Sequence, residues 1–255
     1  LDFDDEMGEL CDTLHNMSSE LARMEKLKND FIASVSPELR TPLTAINGWA
    51  ETVEHDLDDP AIASAGLTII KNETARLSQM VEEMLDFSRI ESGGLRLHAE
   101  DMDIRGQLYD AVFVYTDMLK SQNLSVRYEE PDYPVMISGD KNRLKQVFLN
   151  IIDNAAKYGD GGDSVAVSVT ADEGLAQVVI RDYGQGIPEN ELPFVKEKFF
   201  KGSARGRGTG IGLAVCDEII QMHGGHLEVE SVAGEGTTVR IFLPLLPPPE
   251  GDKPV

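Results

Sequence analysis

Cysteine is nearly absent from this sequence. Cys11 and Cys216 are the only two in 255 residues, far apart and in no CxxC or Cys/His spacing. That leaves neither a disulfide framework nor a thiolate zinc site, and two reduced thiols are the expectation. Long apolar runs are missing as well. There is no stretch of eighteen apolar residues and no signal-peptide pattern, so the chain as it stands reads as soluble. Positive charge is scarce: 23 Lys and Arg against 45 Asp and Glu give a net charge of −22. Such a charge repels nucleic-acid phosphates and anionic membrane surfaces, and both are set aside as partners. What remains is an ordinary globular composition, 41% hydrophobic and 27% charged, enough for one or two cored domains.

From Leu10, apolar residues fall at Leu14, Met17, Leu21, Met24, Leu27 and Phe31, close to the three-four spacing of a coiled-coil seam. The pattern runs through Val35, Leu39, Leu43, Ile46 and Val53 until the acids and proline at 56–60 stop it. A helix over 8–55 is predicted, about 70 Å long at the α-helical rise. A second helix follows Pro60, with Ala63, Leu67, Ile70, Leu77, Val81 and Met84 on one face, and Gly93-Gly94 ends it. One such hairpin exposes too much apolar stripe. Pairing with a second copy into a four-helix bundle is the simplest solution.

After Gly94 the pattern becomes mixed. Strands are predicted at 95–98, 125–128, 135–138, 164–171, 176–182, 227–231 and 237–243, and helices at 104–122, 141–158 and 213–223. This is a second domain of the two-layer α/β kind. The proline-rich tail at 247–252 is too polar to fold.

The glycine run Gly206-Arg207-Gly208-Thr209-Gly210-Ile211-Gly212-Leu213 stands directly before a helix, where backbone N–H groups can cradle phosphates. Its spacing is neither GxGxxG nor a P-loop. Asn150 and Asn154 lie four apart on one helix face, with Lys157 and Tyr158 a turn later. Amide oxygens can ligate magnesium, a lysine can meet phosphate, and an aromatic can cover a base. Asp182-Tyr183-Gly184-Gln185-Gly186 ends a strand with a carboxylate and two glycines, suited to accept a bond from an amino group in a tight pocket.

In order and spacing these segments resemble the boxes of the histidine-kinase ATP-binding domain of the GHKL superfamily, a Bergerat-like fold. The segments are Asn150 to Tyr158, Asp182 to Gly186, Lys198-Phe199-Phe200-Lys201 and Gly206 to Leu213, with Gly234-Glu235-Gly236-Thr237 as the last glycine box. The resemblance implies that Asp182 receives the adenine amino group and that Asn154 holds Mg2+. It implies that Lys157 and the backbone of Gly208, Gly210 and Gly212 hold phosphates, and that residues near 187–207 form a lid. Asn150, Tyr158, Gly184, Gly186, Lys201, Thr209, Leu213 and Thr237 complete the implied ATP site. Hydrolytic relatives carry a glutamate base at the place of Asn150. With an amide there, no water-activating base is expected and ATP should be held for transfer.

On the first helix, residues 31–43 resemble the family's H-box, in which histidine precedes Glu-Leu-Arg-Thr-Pro. Here that residue is Pro37, followed by Glu38, Leu39, Arg40, Thr41 and Pro42. A proline in a peptide bond offers no nitrogen nucleophile, so autophosphorylation at Pro37 is chemically excluded. By resemblance Glu38 is the general base and Thr41 orients water during regulator dephosphorylation. Pro37 and Pro42, five apart, predict a pronounced bend. With its surroundings intact, a deliberate replacement of histidine is favoured over a natural pseudokinase and over a sequencing error.

Asp5 to Leu10 resembles the second helix of a HAMP linker, a module that follows a membrane span. The expected organisation is a HAMP helix at 1–28, a dimerisation and phosphoacceptor hairpin at 29–93, an ATP-binding domain at 94–246 and a disordered tail at 247–255. The expected function is that of the cytoplasmic core of a bacterial inner-membrane sensor histidine kinase. It would be a homodimer that binds Mg-ATP and passes phosphoryl from histidine to a response-regulator receiver domain. A pseudokinase scaffold that binds ATP and dimerises is the alternative, and a hydrolytic GHKL ATPase a third that Asn150 disfavours.

Overall fold

The computed structural model describes residues 3–56, 59–121, 125–159, 164–203 and 208–247. The predicted tail therefore lies almost wholly outside the described residues, as do 204–207 of the predicted lid. By its internal contacts the chain divides into two compact units, Leu1–Met80 and Val81–Val255. None of the described helices is long and apolar enough to cross a membrane.

The first unit is helical. α1 runs Phe3–His55, five residues earlier than periodicity predicted, and stays α-helical through both Pro37 and Pro42. α2 runs Pro60–Glu91, with only its first part in this unit. Asp59 caps α2, its Oδ1 accepting from the N–H of Ala61 at 2.9 Å and Ile62 at 3.3 Å, with Pro60 at the first helical position. The two helices approach closely at Gly66, where a Cβ would fall on Val53 Cγ2 and lie 3.1 Å from the Trp49 ring. Leu10, Leu14, Met17 and Leu21 are each more than half exposed, so these four positions of the predicted seam are uncovered within one chain.

The second unit is a five-stranded sheet under a layer of three helices, beside a small two-stranded sheet. β1 (Glu100–Asp103) pairs antiparallel with β3 (Met136–Gly139). The large sheet runs β2-β4-β5-β7-β6, from β2 (Ser125–Glu129), β4 (Ser164–Asp172), β5 (Leu175–Asp182), β6 (His226–Val232) and β7 (Gly236–Pro244). β2 is parallel to β4 and the other neighbours are antiparallel. α3 (Ile104–Ser121), α4 (Lys141–Tyr158) and α5 (Gly212–Met222) form the helical layer. A short 3-10 helix at Leu192–Phe194 was not foreseen.

One strand was misplaced. The predicted strand at 95–98 is irregular, and β1 forms at Glu100–Asp103 instead, over the polar run Glu-Asp-Met-Asp. Pairing to β3 and side-chain anchoring decide this. Asp103 binds the Arg105 guanidinium at 2.7 Å and accepts from the N–H of Arg105 and Val135. Asp140 meanwhile accepts from the N–H of His98 at 2.9 Å.

α4 positions the site. Its inner face buries Leu144, Val147, Phe148, Ile151, Ile152, Ala155 and Ala156, at the spacing of an amphipathic helix. That register turns Asn150, Asp153, Asn154 and Lys157 to the opposite side together. Asp140 caps it, accepting from Asn142 N–H at 3.0 Å and Arg143 N–H at 3.1 Å. Gly159 ends it, donating to the carbonyl of Ala155.

Candidate functional site

In the second unit a cavity of about 240 Å3 opens between α4, the ends of β5 and β7, and the loops at 185–202 and 208–212. It gathers expected residues from all the sequence boxes. Asn150, Asn154, Lys157 and Tyr158 come from α4, Asp182 and Gly186 from the end of β5 and its turn, and Lys201 from the following loop. Gly208, Thr209, Gly210, Gly212 and Leu213 come from the glycine-rich segment, and Thr237 from β7. Ile151, Ile180, Val229 and Val239 add apolar walls suited to a planar ring.

Asp182 is the buried polar centre. Its Oδ1 accepts from the N–H of Gly184 at 3.0 Å and of Thr237 at 3.2 Å, leaving Oδ2 to accept from a ligand donor. Burial raises the Asp182 carboxyl above the ordinary carboxylate value, and these two N–H groups only partly offset it. Gly184 does not line the cavity. Its role is steric: a Cβ there would fall on the carbonyl oxygen of Tyr158, so only glycine lets the β5 turn close against the end of α4. Gly236 holds a positive φ of 105° against the backbone of Asp182, a conformation that glycine adopts without strain.

At the other end the two amides meet, Asn154 Nδ2 donating to Asn150 Oδ1 at 3.2 Å. Gly212 lies against this pair: a Cβ would stand 2.7 Å from Asn150 Nδ2. The amide oxygens are hard donors of the kind magnesium takes. Lys157 pairs with Asp153 one turn earlier on α4.

Three carboxylates that line this cavity, Asp153, Glu83 and Glu191, were missed. Asp153 lies between the asparagines, and Glu83 comes from α2, its Oε2 accepting from Thr209 Oγ1 at 3.2 Å. Burial, together with Asp153 and Glu83 nearby, holds the Tyr115 phenol far above its usual value. Asp153 is paired with Lys157, and Glu83 with the Thr209 hydroxyl. Asp153 was legible as an acid on the asparagine face of α4. Glu83 carried no signal, because its partner is 126 residues away.

In the first unit, Pro37 is exposed and Pro42 buried on α1. Thr41 Oγ1 donates to the Pro37 carbonyl at 3.2 Å. Glu38 Oε2 accepts from Arg76 of α2 at 3.4 Å, and Arg76 also meets Glu73 at 3.5 Å. The expected base thus has a cationic neighbour that no sequence motif indicated.

Residues 139–247 match the family described as histidine kinase-, DNA gyrase B-, and HSP90-like ATPase, and residues 27–93 match the His Kinase A (phospho-acceptor) domain. Sensor protein SrrB of Staphylococcus aureus is 35% identical over 237 residues, covering 91% of this chain and 40% of SrrB. The chain thus spans about 40% of the length of the curated relatives it matches. The solved chain of the mycobacterial sensor histidine kinase MprB is 32% identical, with 58% of this chain and 99% of that solved chain covered at a TM-score of 0.50. The histidine kinase ThkA, solved in complex with the response regulator protein TrrA, shares the fold at 24% identity. That match covers 91% of this chain and 66% of the solved ThkA chain, with a TM-score of 0.66. The likeness spans both the helical hairpin and the α/β unit, and the chain belongs to the sensor histidine kinase family.

Proposed function

We propose that this chain is the cytoplasmic core of a membrane-anchored protein-histidine kinase, able to bind Mg-ATP and unable to phosphorylate itself. The observation that carries the reading is the single cavity into which the separated boxes converge around Asp182. A ligand amino group would donate to Asp182 Oδ2 while Ile180 and Val239 flank the base. The triphosphate would extend toward Lys157, Lys201 and the backbone N–H groups at Gly208, Gly210 and Gly212. Asn154, steadied by Asn150, would hold the magnesium ion, whose charge neutralises the phosphates during transfer.

The transfer step itself stops at Pro37, which stands where the family's acceptor histidine precedes Glu-Leu-Arg-Thr-Pro. Glu38 would take the proton of such a histidine, with Arg76 holding its carboxylate in place. The exposed seam at Leu10, Leu14, Met17 and Leu21 is suited to a second copy in a four-helix bundle. By analogy with the ThkA–TrrA complex, a receiver domain would be the partner. Residues 1–28 would be the end of a HAMP linker, 29–93 the hairpin and 94–246 the ATP-binding domain. Thr41 would serve dephosphorylation of the regulator.

The test compares this chain with its Pro37→His form. Each is given γ-labelled ATP and magnesium, and acid-labile label on protein is counted. Label on the histidine form alone is expected. Label on neither, with ATP bound by both, would favour a scaffold that uses ATP as a structural ligand.

A further inference from the structure

The last turns of α2 present one face to the nucleotide-binding module. Glu83, Asp86, Phe87 and Glu91 follow at intervals of three, one and four, which places them on a single side of the helix. Asp86 is buried, its Oδ1 accepting from Arg143 Nη1 and its Oδ2 from Gln146 Nε2, both at 2.7 Å, on the first turns of α4. Phe87 meets the edge of Phe199 at 5.3 Å between centroids, and Lys198 pairs with Glu91. Glu83 reaches furthest, into the cavity itself, where it accepts from the buried Thr209 hydroxyl beside Gly208 and Gly210.

We infer that this face of α2 is an autoinhibitory latch, and that Glu83 is an internal anion standing where a nucleotide's phosphates must enter. The inference rests on the cavity's being the ATP site. A carboxylate and a triphosphate cannot share the Thr209 hydroxyl or the glycine-rich backbone without repulsion, because two anions would compete at close range for the same donors in a partly buried site. Binding of nucleotide and docking of the latch therefore oppose each other, and the coupling is reciprocal. Nucleotide loosens the end of α2, and anything that undocks α2 opens the phosphate end of the cavity. α2 is one helix from Pro60 to Glu91, so a disturbance upstream reaches Glu83 along a continuous backbone. Asp86 with Arg143 and Gln146 supplies the docking, and Glu83 supplies the conflict.

The experiment titrates the full chain and two variants with Mg-ATP, with ATP in EDTA and with adenosine. Glu83→Gln keeps an acceptor for Thr209 and removes the charge. Phe87→Ala weakens docking at a residue outside the cavity. ATP affinity should rise roughly tenfold in Glu83→Gln, within the usual span of such couplings, and should also rise in Phe87→Ala. Adenosine affinity, which senses Asp182 but no phosphate, should stay unchanged in Glu83→Gln. Amide exchange over 83–91 should quicken when Mg-ATP is added to the parent chain. Unchanged ATP affinity in Glu83→Gln overturns the latch. A loss of affinity that appears only with magnesium also overturns it and makes Glu83 a cation ligand. If the parent chain binds neither ATP nor adenosine, the assignment of the cavity fails first and the latch with it.

Discussion

Replacing Asp140 by alanine tests whether the nucleotide site is held from below by the cap of α4. Asp140 is buried and its two carboxylate oxygens take three backbone N–H groups, from Asn142, Arg143 and His98. Losing an aspartate cap costs about 1 kcal/mol, and the negative charge at the helix N-terminus adds roughly 0.5 kcal/mol. Leaving the part-buried His98 N–H without a partner costs about 1–2 kcal/mol more. The expected loss is therefore about 3 kcal/mol, and Asp140→Asn, which keeps Oδ1 for the cap, should lose about half of it. Urea unfolding is followed by far-UV circular dichroism. Trp49, the only tryptophan, lies in the hairpin unit and serves as a separate probe. The pH dependence gives a second check. Burial works to raise the Asp140 carboxyl, but the N–H groups of His98, Arg143 and Asn142 outweigh it and hold it below the usual value. A depressed carboxyl stabilises the fold above its unfolded value and loses that contribution as pH falls through its folded one. The gap between parent and Asp140→Ala should thus be full at neutral pH and shrink in acid. A gap under about 0.5 kcal/mol, or one that is constant with pH, refutes the reasoning.

Asp182 titrates in the opposite sense. Because burial raises its carboxyl, the fold favours the protonated form, and that contribution is lost as pH rises through the folded value. The ionised acceptor needed for an amino group fades as pH falls through the same raised value. ATP affinity by calorimetry should therefore drop on mild acidification, and Asp182→Asn should bind about ten- to a hundredfold more weakly with little pH dependence. A flat profile for the parent chain would contradict this. Gly212→Ala places a Cβ 2.7 Å from Asn150 Nδ2, so the Asn150–Asn154 pair must move. Equilibrium binding should show ATP affinity weakened at least about tenfold, while the unfolding free energy from urea titration changes by less than about 1 kcal/mol, since alanine suits the start of α5.

Where local pattern and packing agree, sequence was a sufficient guide. α4 begins and ends where its periodicity placed it, because one apolar stripe, a capping aspartate and a closing glycine all favour the same 18 residues. The β4 and β5 strands likewise fall within a residue of their alternation, and the glycine-rich segment opens α5 as expected. β1 did not follow its local composition. Glu100 to Asp103 is polar and becomes a strand through β3 and the anchors of Asp103, while the apolar Leu95 is buried without joining a strand.

The sequence by itself determined the family, the helical hairpin, the two-layer nucleotide module and the residue types available for binding. Each of these is written in periods and motifs that act over a few residues. Only the tertiary structure decided which groups share a space. Glu83 against Thr209, Asp86 against Arg143, and Arg76 against Glu38 are pairs 126, 57 and 38 residues apart. Their meeting depends on where whole helices come to rest, which the spacing of neighbouring side chains does not encode.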